Sequence, residues 1–295
     1  MMRMMEMTKA RKNQLIFAAI FLFGLMIFSY PLISKKYYEI KAEDKVVEFV
    51  KGAKEIPPED LEKRMALAKA YNDTLDPSRL SDPYTDMEKK GRAEYARMLE
   101  VHEMLGHINV PKIKTDIPIY AGTSEEVLQK GAGHLEGTSL PIGGNSTHTV
   151  ITAHRGLPNA KLFRNLDQLV EGDVFYITNI KETIAYKVDK IKVVEPSEFE
   201  DVLVVENADL ATLLTCTPYM INSHRLLVRG HRIDYQAAID DGIANTPRAR
   251  IDFFRMILLM IPIIIFLTLA LFRERKKTSE LTKELAEIEK RNQTD

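Results

Sequence analysis

The chain has 295 residues, enough for one large domain or two modest ones, with ordinary globular fractions of apolar (45%) and charged (28%) residues. A formal net charge of −1 provides no basic field, and neither a zinc-type Cys/His spacing nor a phosphate-loop motif occurs, which argues against a nucleic-acid partner. A single cysteine, Cys216, cannot form a disulfide within the chain, so the fold must be stable without one.

Two apolar stretches interrupt this soluble pattern. Residues 15–34 form a charge-free run of about 20 residues, which is the length that crosses a hydrocarbon core of roughly 30 Å. We interpret it as an uncleaved membrane anchor, because the alternative of a cleaved signal peptide lacks a small-x-small cleavage site. Residues 256–272, preceded by Phe253 and Phe254, predict a second, shorter span that Pro262 kinks without excluding it.

The orientation of these spans rests on their flanking charges. Basic residues precede the first span and follow the second, which predicts that both chain ends are cytoplasmic. Basic residues also lie on the inner flanks, at 35–41 and 248–255, so the charge rule alone leaves the orientation open. A hairpin topology places residues 35–252 on one face of the membrane, which we take to be extracytoplasmic.

Helical patterns follow the first span. Apolar spacing from Tyr37 to Tyr71 predicts helices, interrupted at Pro57 and Pro58 in "IPPED". The next segment, "NDTLDPSRLSDPYTD", is dense in turn formers and predicts a loop. A further helix is predicted from Met87 to Leu105.

After Gly106 the pattern becomes that of an all-β barrel or sandwich. Short segments rich in Val, Ile, Thr and Tyr alternate with Gly, Pro and Asn clusters, as in "HINVPKI", "IPIYAG", "HTVITAH", "DVFYITN", "TIAYKVDKIKVV" and "RLLVRGHRI". The segments "SEEVLQKGAGH" and "ADLATLL" suggest short helices inserted between the strands. The charged tail "SELTKELAEIEKRNQTD" has a helical pattern.

Cys216 stands out because it follows the apolar run "TLLT" and precedes a polar turn. A free cysteine is usually a small buried hydrophobe, so a nucleophilic role requires a cationic neighbour that stabilises the thiolate. If Cys216 ends one strand and Arg225 begins its antiparallel neighbour, the thiol and the guanidinium come together. A permanently charged guanidinium suits a developing oxyanion.

A proton donor and acceptor is also needed, and histidine is the usual choice. His154 lies where the strand "HTVITAH" meets a Gly-Pro turn, and strand ends are where a scaffold presents reactive groups. His148 is on the same face of that strand. Periodicity alone does not choose between the two histidines.

These motifs resemble those of sortases. "TLLTC" is similar to the sortase TLxTC signature, "TAHRG" to the segment with the catalytic histidine, and "NSHRLLVRG" to the segment with the catalytic arginine. The resemblance covers most of Gly106 to Ile233 and implies an eight-stranded β-barrel. It also implies that Cys216 is the nucleophile, His154 the acid/base and Arg225 the stabiliser of substrate and oxyanion, with Thr215 supporting the oxyanion site or merely packing.

Two features resemble class C, the pilus-assembling sortases of Gram-positive bacteria. One is the C-terminal span, and the other is "SDPYTD", which is similar to an Asp-Pro-aromatic lid. The resemblance implies that Asp82 pairs with Arg225 and that Tyr84, after Pro83, covers Cys216. The rival interpretation is an ordinary Asp-Pro turn with a surface tyrosine.

The reaction that the resemblance implies is transpeptidation. The thiol attacks the Thr carbonyl of an LPXTG-like sorting signal, and a pilin Lys amine resolves the thioester, with no metal or organic cofactor. The alternatives are a housekeeping-type sortase that anchors proteins to peptidoglycan, a thiol hydrolase, and a membrane-tethered scaffold with an inert cysteine.

The predicted organisation has seven parts. They are a cytoplasmic N-terminus (1–14), a transmembrane anchor (15–34), a helical stalk and lid region (35–105, lid about 72–86), a catalytic barrel (106–235), a linker (236–252), a transmembrane helix (253–272) and a cytoplasmic tail (273–295).

Overall fold

The computed structural model describes residues 2–75, 94–157, 160–240, 273, 278–282 and 286. The chain divides into two units, residues 1–246 and 247–295. In the second unit, residues 278–282 are helical, in agreement with the helical pattern of the tail.

The first unit begins with the two predicted helices. Helix α1 spans Met2–Lys54, and helix α2 spans Pro58–Asp73. The break between them falls at the two prolines because Pro57 takes an extended conformation at the N-cap and Pro58 occupies the first helical position, where no amide donor is needed. This part of the prediction is confirmed.

The helix predicted from Met87 to Leu105 is wrong in the part that the structure describes. Glu94–Leu99 forms one short 3-10 helix, and Met104 already belongs to the first strand. Apolar spacing over so short a segment fits either a helix or a buried strand, and here strand pairing prevails.

Eight strands form a closed barrel in the order β1-β2-β3-β4-β7-β8-β6-β5, which confirms the predicted mainly-β, eight-stranded architecture. Two short helices also belong to this unit: α3 (Glu125–Lys130), between β2 and β3, and α4 (Tyr235–Asp240), after β8. The strands are β1 (Met104–Val110), β2 (Thr115–Ala121), β3 (Ala132–His134), β4 (Thr147–Thr152), β5 (Val174–Thr178), β6 (Thr183–Val194), β7 (Asp209–Thr217) and β8 (His224–Ile233).

One of the two predicted inserted helices is wrong. "SEEVLQKGAGH" contains α3, as predicted, but "ADLATLL" lies in β7. Strand β7 is paired on both edges, parallel to β4 and antiparallel to β8, and most of its side chains are buried. A strand buried on both faces loses its alternating pattern, so its apolar run looks the same as that of a short buried helix.

Side chains of the barrel alternate between an interior core and an outer face. In the interior, the rings of Phe175 and Tyr186 stack across β5 and β6 with their centroids 5.6 Å apart. A second apolar cluster lies on the outer face of β4, β7 and β8, where part of the β6–β7 connection packs. Its buried members are Leu135, Val150, Val194, Val202 and Leu227.

The N-terminal helices pack onto this barrel. Phe49 of α1 is fully buried in the main core. Near the end of α2, the Asn72 side chain accepts a hydrogen bond from the Leu140 amide (2.7 Å) and donates one to the Leu140 carbonyl (3.3 Å). The side-chain amide of Asn72 thus pairs with the backbone of the β3–β4 connection as a neighbouring strand would.

Residues 15–34 lie within α1 and are therefore helical. Across the described ranges, no helix is both long enough and apolar enough to cross a membrane. The second predicted span, 253–272, lies outside the described residues.

Two buried histidines predict how stability depends on pH. His134 is completely buried, where its Nε2 donates to the Ser139 carbonyl at 2.8 Å, and burial lowers its pKa to about 4. Burial also lowers the pKa of His148. Because both side chains regain their ordinary pKa near 6.5 on unfolding, the unfolded chain binds more protons between about pH 4 and 6.5.

We expect these two histidines to leave the free energy of unfolding at its highest value above about pH 6.5 and to lower it as the pH falls toward about 4. Denaturant unfolding at several pH values across this window measures the slope. His134→Gln keeps a donor for the Ser139 carbonyl but does not titrate, so its slope is expected to be shallower. A slope equal to that of the wild type would contradict the assignment.

Candidate active site

Cys216 and Arg225 are cross-strand neighbours. They occupy paired positions in the antiparallel β7–β8 ladder, two residues beyond the pair of Leu214 and Leu227. Directly paired side chains lie on the same face of a sheet, about 5 Å apart at Cβ. Leu227 belongs to the outer apolar cluster, so the thiol and the guanidinium both lie on the outer face of the barrel, at the end of that cluster.

His154 reaches the same level from the other side of β7. In the parallel β4–β7 ladder Thr152 pairs with Leu214, so two residues later His154 comes level with Cys216. Two further hydrogen bonds extend this pairing: the Ala153 amide donates to the Leu214 carbonyl (3.2 Å), and the buried Thr215 hydroxyl donates to the Ala153 carbonyl (2.7 Å). Since β7 lies between β4 and β8, the imidazole and the guanidinium flank the thiol.

The Arg225 guanidinium is held close to its own loop. Its Nη1 donates to the carbonyls of Asn222 and His224, both at 3.3 Å. A guanidinium has five N–H donors, so these two contacts leave donors for a substrate carbonyl. Cys216 itself is a free thiol of intermediate burial.

His154 also contacts a carboxylate. Its Nε2 lies 3.3 Å from the carboxylate of Glu125, the first residue of α3, and the His154 side chain is 25% exposed. Glu125 was not among the residues predicted for the site. Ser124, which caps α3, together with the acidic first turn marks a helix start, but nothing in the sequence connects that start with a histidine 29 residues later.

Arg155, next to His154, was missed as well. Its buried guanidinium donates to the Thr217 hydroxyl at 2.7 Å and forms an ion pair with Asp167 at 2.6 Å. Its Nε donates to the carbonyl of Arg164 at 3.3 Å. Arg155 therefore joins the segment after β4 to the end of β7, beside Cys216.

The alternative histidine, His148, lies far from the thiol. It pairs with Leu210, six residues before Cys216 on β7, which corresponds to about 20 Å along a strand. It is buried, with Nδ1 donating to the Leu203 carbonyl at 2.8 Å and Nε2 2.7 Å from the Thr212 hydroxyl. Of the two candidates left open by periodicity, the structure brings only His154 beside Cys216.

The other predicted site residues have different outcomes. The Thr215 side chain is occupied by its bond to the Ala153 carbonyl and packs in the barrel, so only its backbone remains for an oxyanion. The lid residues Asp82, Pro83 and Tyr84 lie outside the described residues. No group of three or more potential metal ligands occurs in the part of the chain that the structure describes.

A thiol between an imidazole and a guanidinium supplies the three functions of acyl transfer. In such an arrangement sulfur can attack a carbonyl, the imidazole can move the proton, and the guanidinium can stabilise the oxyanion that forms. The three side chains lie on the outer face of the barrel.

Comparisons with known proteins agree with this chemistry. Residues 108–233 match the Sortase domain family. A pilus-related sortase C of Group B Streptococcus is 63% identical, with a TM-score of 0.62 over 65% of this chain and 98% of that one. Sortase C-1 of Streptococcus pneumoniae is 60% identical, with a TM-score of 0.62 over 65% of this chain and 99% of that one.

A more distant relative gives the same family. Sortase A of Bacillus anthracis is 25% identical over 209 residues, which cover 70% of this chain and 90% of that protein. Two solved sortase C structures match this chain at high identity over nearly their whole length, and His154, Cys216 and Arg225 form a row across the ends of β4, β7 and β8. This chain therefore belongs to the sortase family and to its class C.

Proposed function

We propose that this class C sortase is a cysteine transpeptidase that joins pilin subunits at the cell surface. It cleaves an LPXTG-like sorting signal and transfers the acyl group to a Lys amine of a second pilin. The observation that carries the proposal is that His154, two residues after β4, comes level with Cys216 on β7 and with Arg225 on β8. The pilus-related sortase C at 63% identity supports pilins as the substrate class.

The proposed reaction has two half-reactions. In the first, His154 takes the thiol proton, the Cys216 sulfur bonds to the Thr carbonyl carbon, the Thr–Gly bond breaks, and His154 gives the proton to the departing amine. In the second, the Lys amine bonds to the same carbon, the thioester bond breaks, and His154 accepts the amine proton. Arg225 donates hydrogen bonds to the carbonyl oxygen while it carries negative charge in each step.

One prediction concerns the proposed nucleophile, Cys216. Cys216→Ala is expected to abolish the amide-linked conjugate formed from a sorting peptide and a pilin Lys, because no other group in the row forms a thioester. Mass spectrometry of the products measures the conjugate, and circular dichroism verifies that the variant is folded. A conjugate formed by the variant would rule out the proposed mechanism.

The same assay separates the alternative functions. A wild-type enzyme that yields only hydrolysed peptide is a thiol hydrolase, and one that accepts a peptidoglycan amine but no pilin Lys is of the housekeeping type. A wild-type chain that forms no acyl-enzyme supports the inert scaffold.

A second prediction concerns Arg225. Arg225→Ala is expected to lower kcat by about 10²- to 10³-fold, the usual cost of removing an oxyanion donor. Arg225→Lys should recover part of the loss, because an ammonium retains the charge but lacks the planar donor fork. Steady-state kinetics with the sorting peptide measure both effects.

Arg229→Lys is the matched control. Arg229 lies four residues further along β8 and pairs with Asp189 at 2.9 Å, so this change should leave kcat within about twofold. Equal losses at positions 225 and 229 would indicate a general effect on β8 and contradict the assigned role.

We further propose that residues 15–34 and 256–272 attach the enzyme to the membrane, with the barrel extracytoplasmic and both termini cytoplasmic. The proposal is supported by the absence of charged residues in both segments. It is supported as well by large apolar side chains of α1 that are at least half exposed, among them Phe21, Phe23 and Phe28.

This topology predicts a protease-protection pattern. In intact protoplasts, external protease is expected to degrade the barrel while tags at both chain ends stay protected, because the bilayer shields the cytoplasmic side. Immunoblots against the barrel and the tags measure the pattern, and lysed protoplasts provide the control. A barrel that is protected until lysis would contradict the proposed orientation.

A further inference from the structure

We propose that Glu125 is a positioning residue for His154: its carboxylate fixes the imidazole so that Nδ1 is the atom that exchanges the proton with Cys216. This inference rests on the proposed function and adds a fourth residue to the row of His154, Cys216 and Arg225. Its starting point is the contact of 3.3 Å between His154 Nε2 and the Glu125 carboxylate.

The chemistry of the two groups determines the direction of this hydrogen bond. An ionised carboxylate only accepts, so Nε2 must carry the hydrogen and donate it. In the neutral imidazole the other ring nitrogen, Nδ1, then has the free lone pair. Nδ1 is therefore the atom that can take the thiol proton, and the carboxylate selects this tautomer.

The carboxylate also acts when the imidazole becomes charged. A proton taken from the thiol or from the acceptor amine converts His154 into an imidazolium, and a nearby negative charge stabilises that form. The Glu125 side chain is 66% exposed, so solvent screens the attraction and its effect on the rate is modest.

Glu125 is held in place from two directions. Within α3, Gln129 Nε2 donates to Glu125 Oε1 at 2.6 Å. Before the helix, Thr123 donates from its amide and its hydroxyl to the buried carboxylate of Glu136, at 3.1 and 2.8 Å, and Ser124 caps the helix. The first residue of α3 thus has a fixed position next to the end of β4, which a group that orients a catalytic side chain requires.

The neighbouring Glu126 supplies a matched control. It lies in the same helical turn and is similarly exposed, but its carboxylate pairs with Lys130 at 3.0 Å. A general loss of negative charge from α3 would affect both positions, whereas a positioning role belongs to Glu125 alone.

The kinetic test uses the full-length enzyme with a sorting peptide and a Lys-containing acceptor. Glu125→Ala is expected to lower kcat about three- to tenfold with KM unchanged, because the imidazole loses its fixed orientation and its countercharge. Glu125→Gln keeps a neutral acceptor for Nε2 and should lose less than Glu125→Ala. Glu126→Ala should stay within about twofold of the wild type.

A second readout is independent of catalysis. The ¹⁵N shifts of the imidazole in histidine-labelled protein report which ring nitrogen carries the hydrogen, and the His154 signal is identified by its loss in His154→Gln. The neutral wild-type ring is expected to be protonated at Nε2, and Glu125→Ala should give a mixture of tautomers.

The outcomes distinguish this inference from the proposed function. A wild-type enzyme that forms no conjugate defeats the proposed function, and the tautomer measurement still decides the role of Glu125. An active wild type with an unchanged kcat in Glu125→Ala overturns the positioning role. A change in KM alone, or an equal loss in Glu126→Ala, overturns it as well.

Discussion

The parallel pairing of β4 with β7 is the constraint on which the site depends. It joins segments 62 residues apart in the chain and brings His154 level with Cys216. Side-chain hydrogen bonds support this pairing near both ends. The Thr212 hydroxyl forms one with the His148 ring, and the Thr215 hydroxyl donates one to the Ala153 carbonyl. A slip of one residue would turn His154 from the outer face into the interior, so these bonds keep His154 level with Cys216 as well as maintaining the fold.

Arg225 is brought next to Cys216 by a much shorter connection. Cys216 and Arg225 belong to adjacent antiparallel strands joined by a short loop, and closing a short loop costs little conformational entropy. The site therefore combines one local and one long-range contact. Arg155 strengthens the long-range pairing of β4 with β7, because its hydrogen bond to Thr217 joins the segment after β4 to the end of β7 a second time.

The sequence predicted those parts of the molecule that local patterns encode. Strand alternation and the loop after Cys216 were enough to propose that Arg225 is a neighbour, and the two prolines located the break between α1 and α2. Periodicity failed for β7, where burial on both faces removes the alternation. The choice of His154 over His148 needed the resemblance to sortases, and Glu125 was not predictable, because each depends on the register between segments distant in the chain.

His154, Cys216 and Arg225 lie on the outer face of the barrel, and this position has a consequence for the evolution of the enzyme. The interior is filled by apolar side chains, such as Phe175 and Tyr186, and these side chains lie on the opposite face of the sheet from Cys216. Substitutions of exposed residues near this row therefore leave the interior core unchanged, and most surface changes of this kind have small effects on stability. Such a scaffold can acquire new peptide preferences through its outer loops without first gaining stability elsewhere.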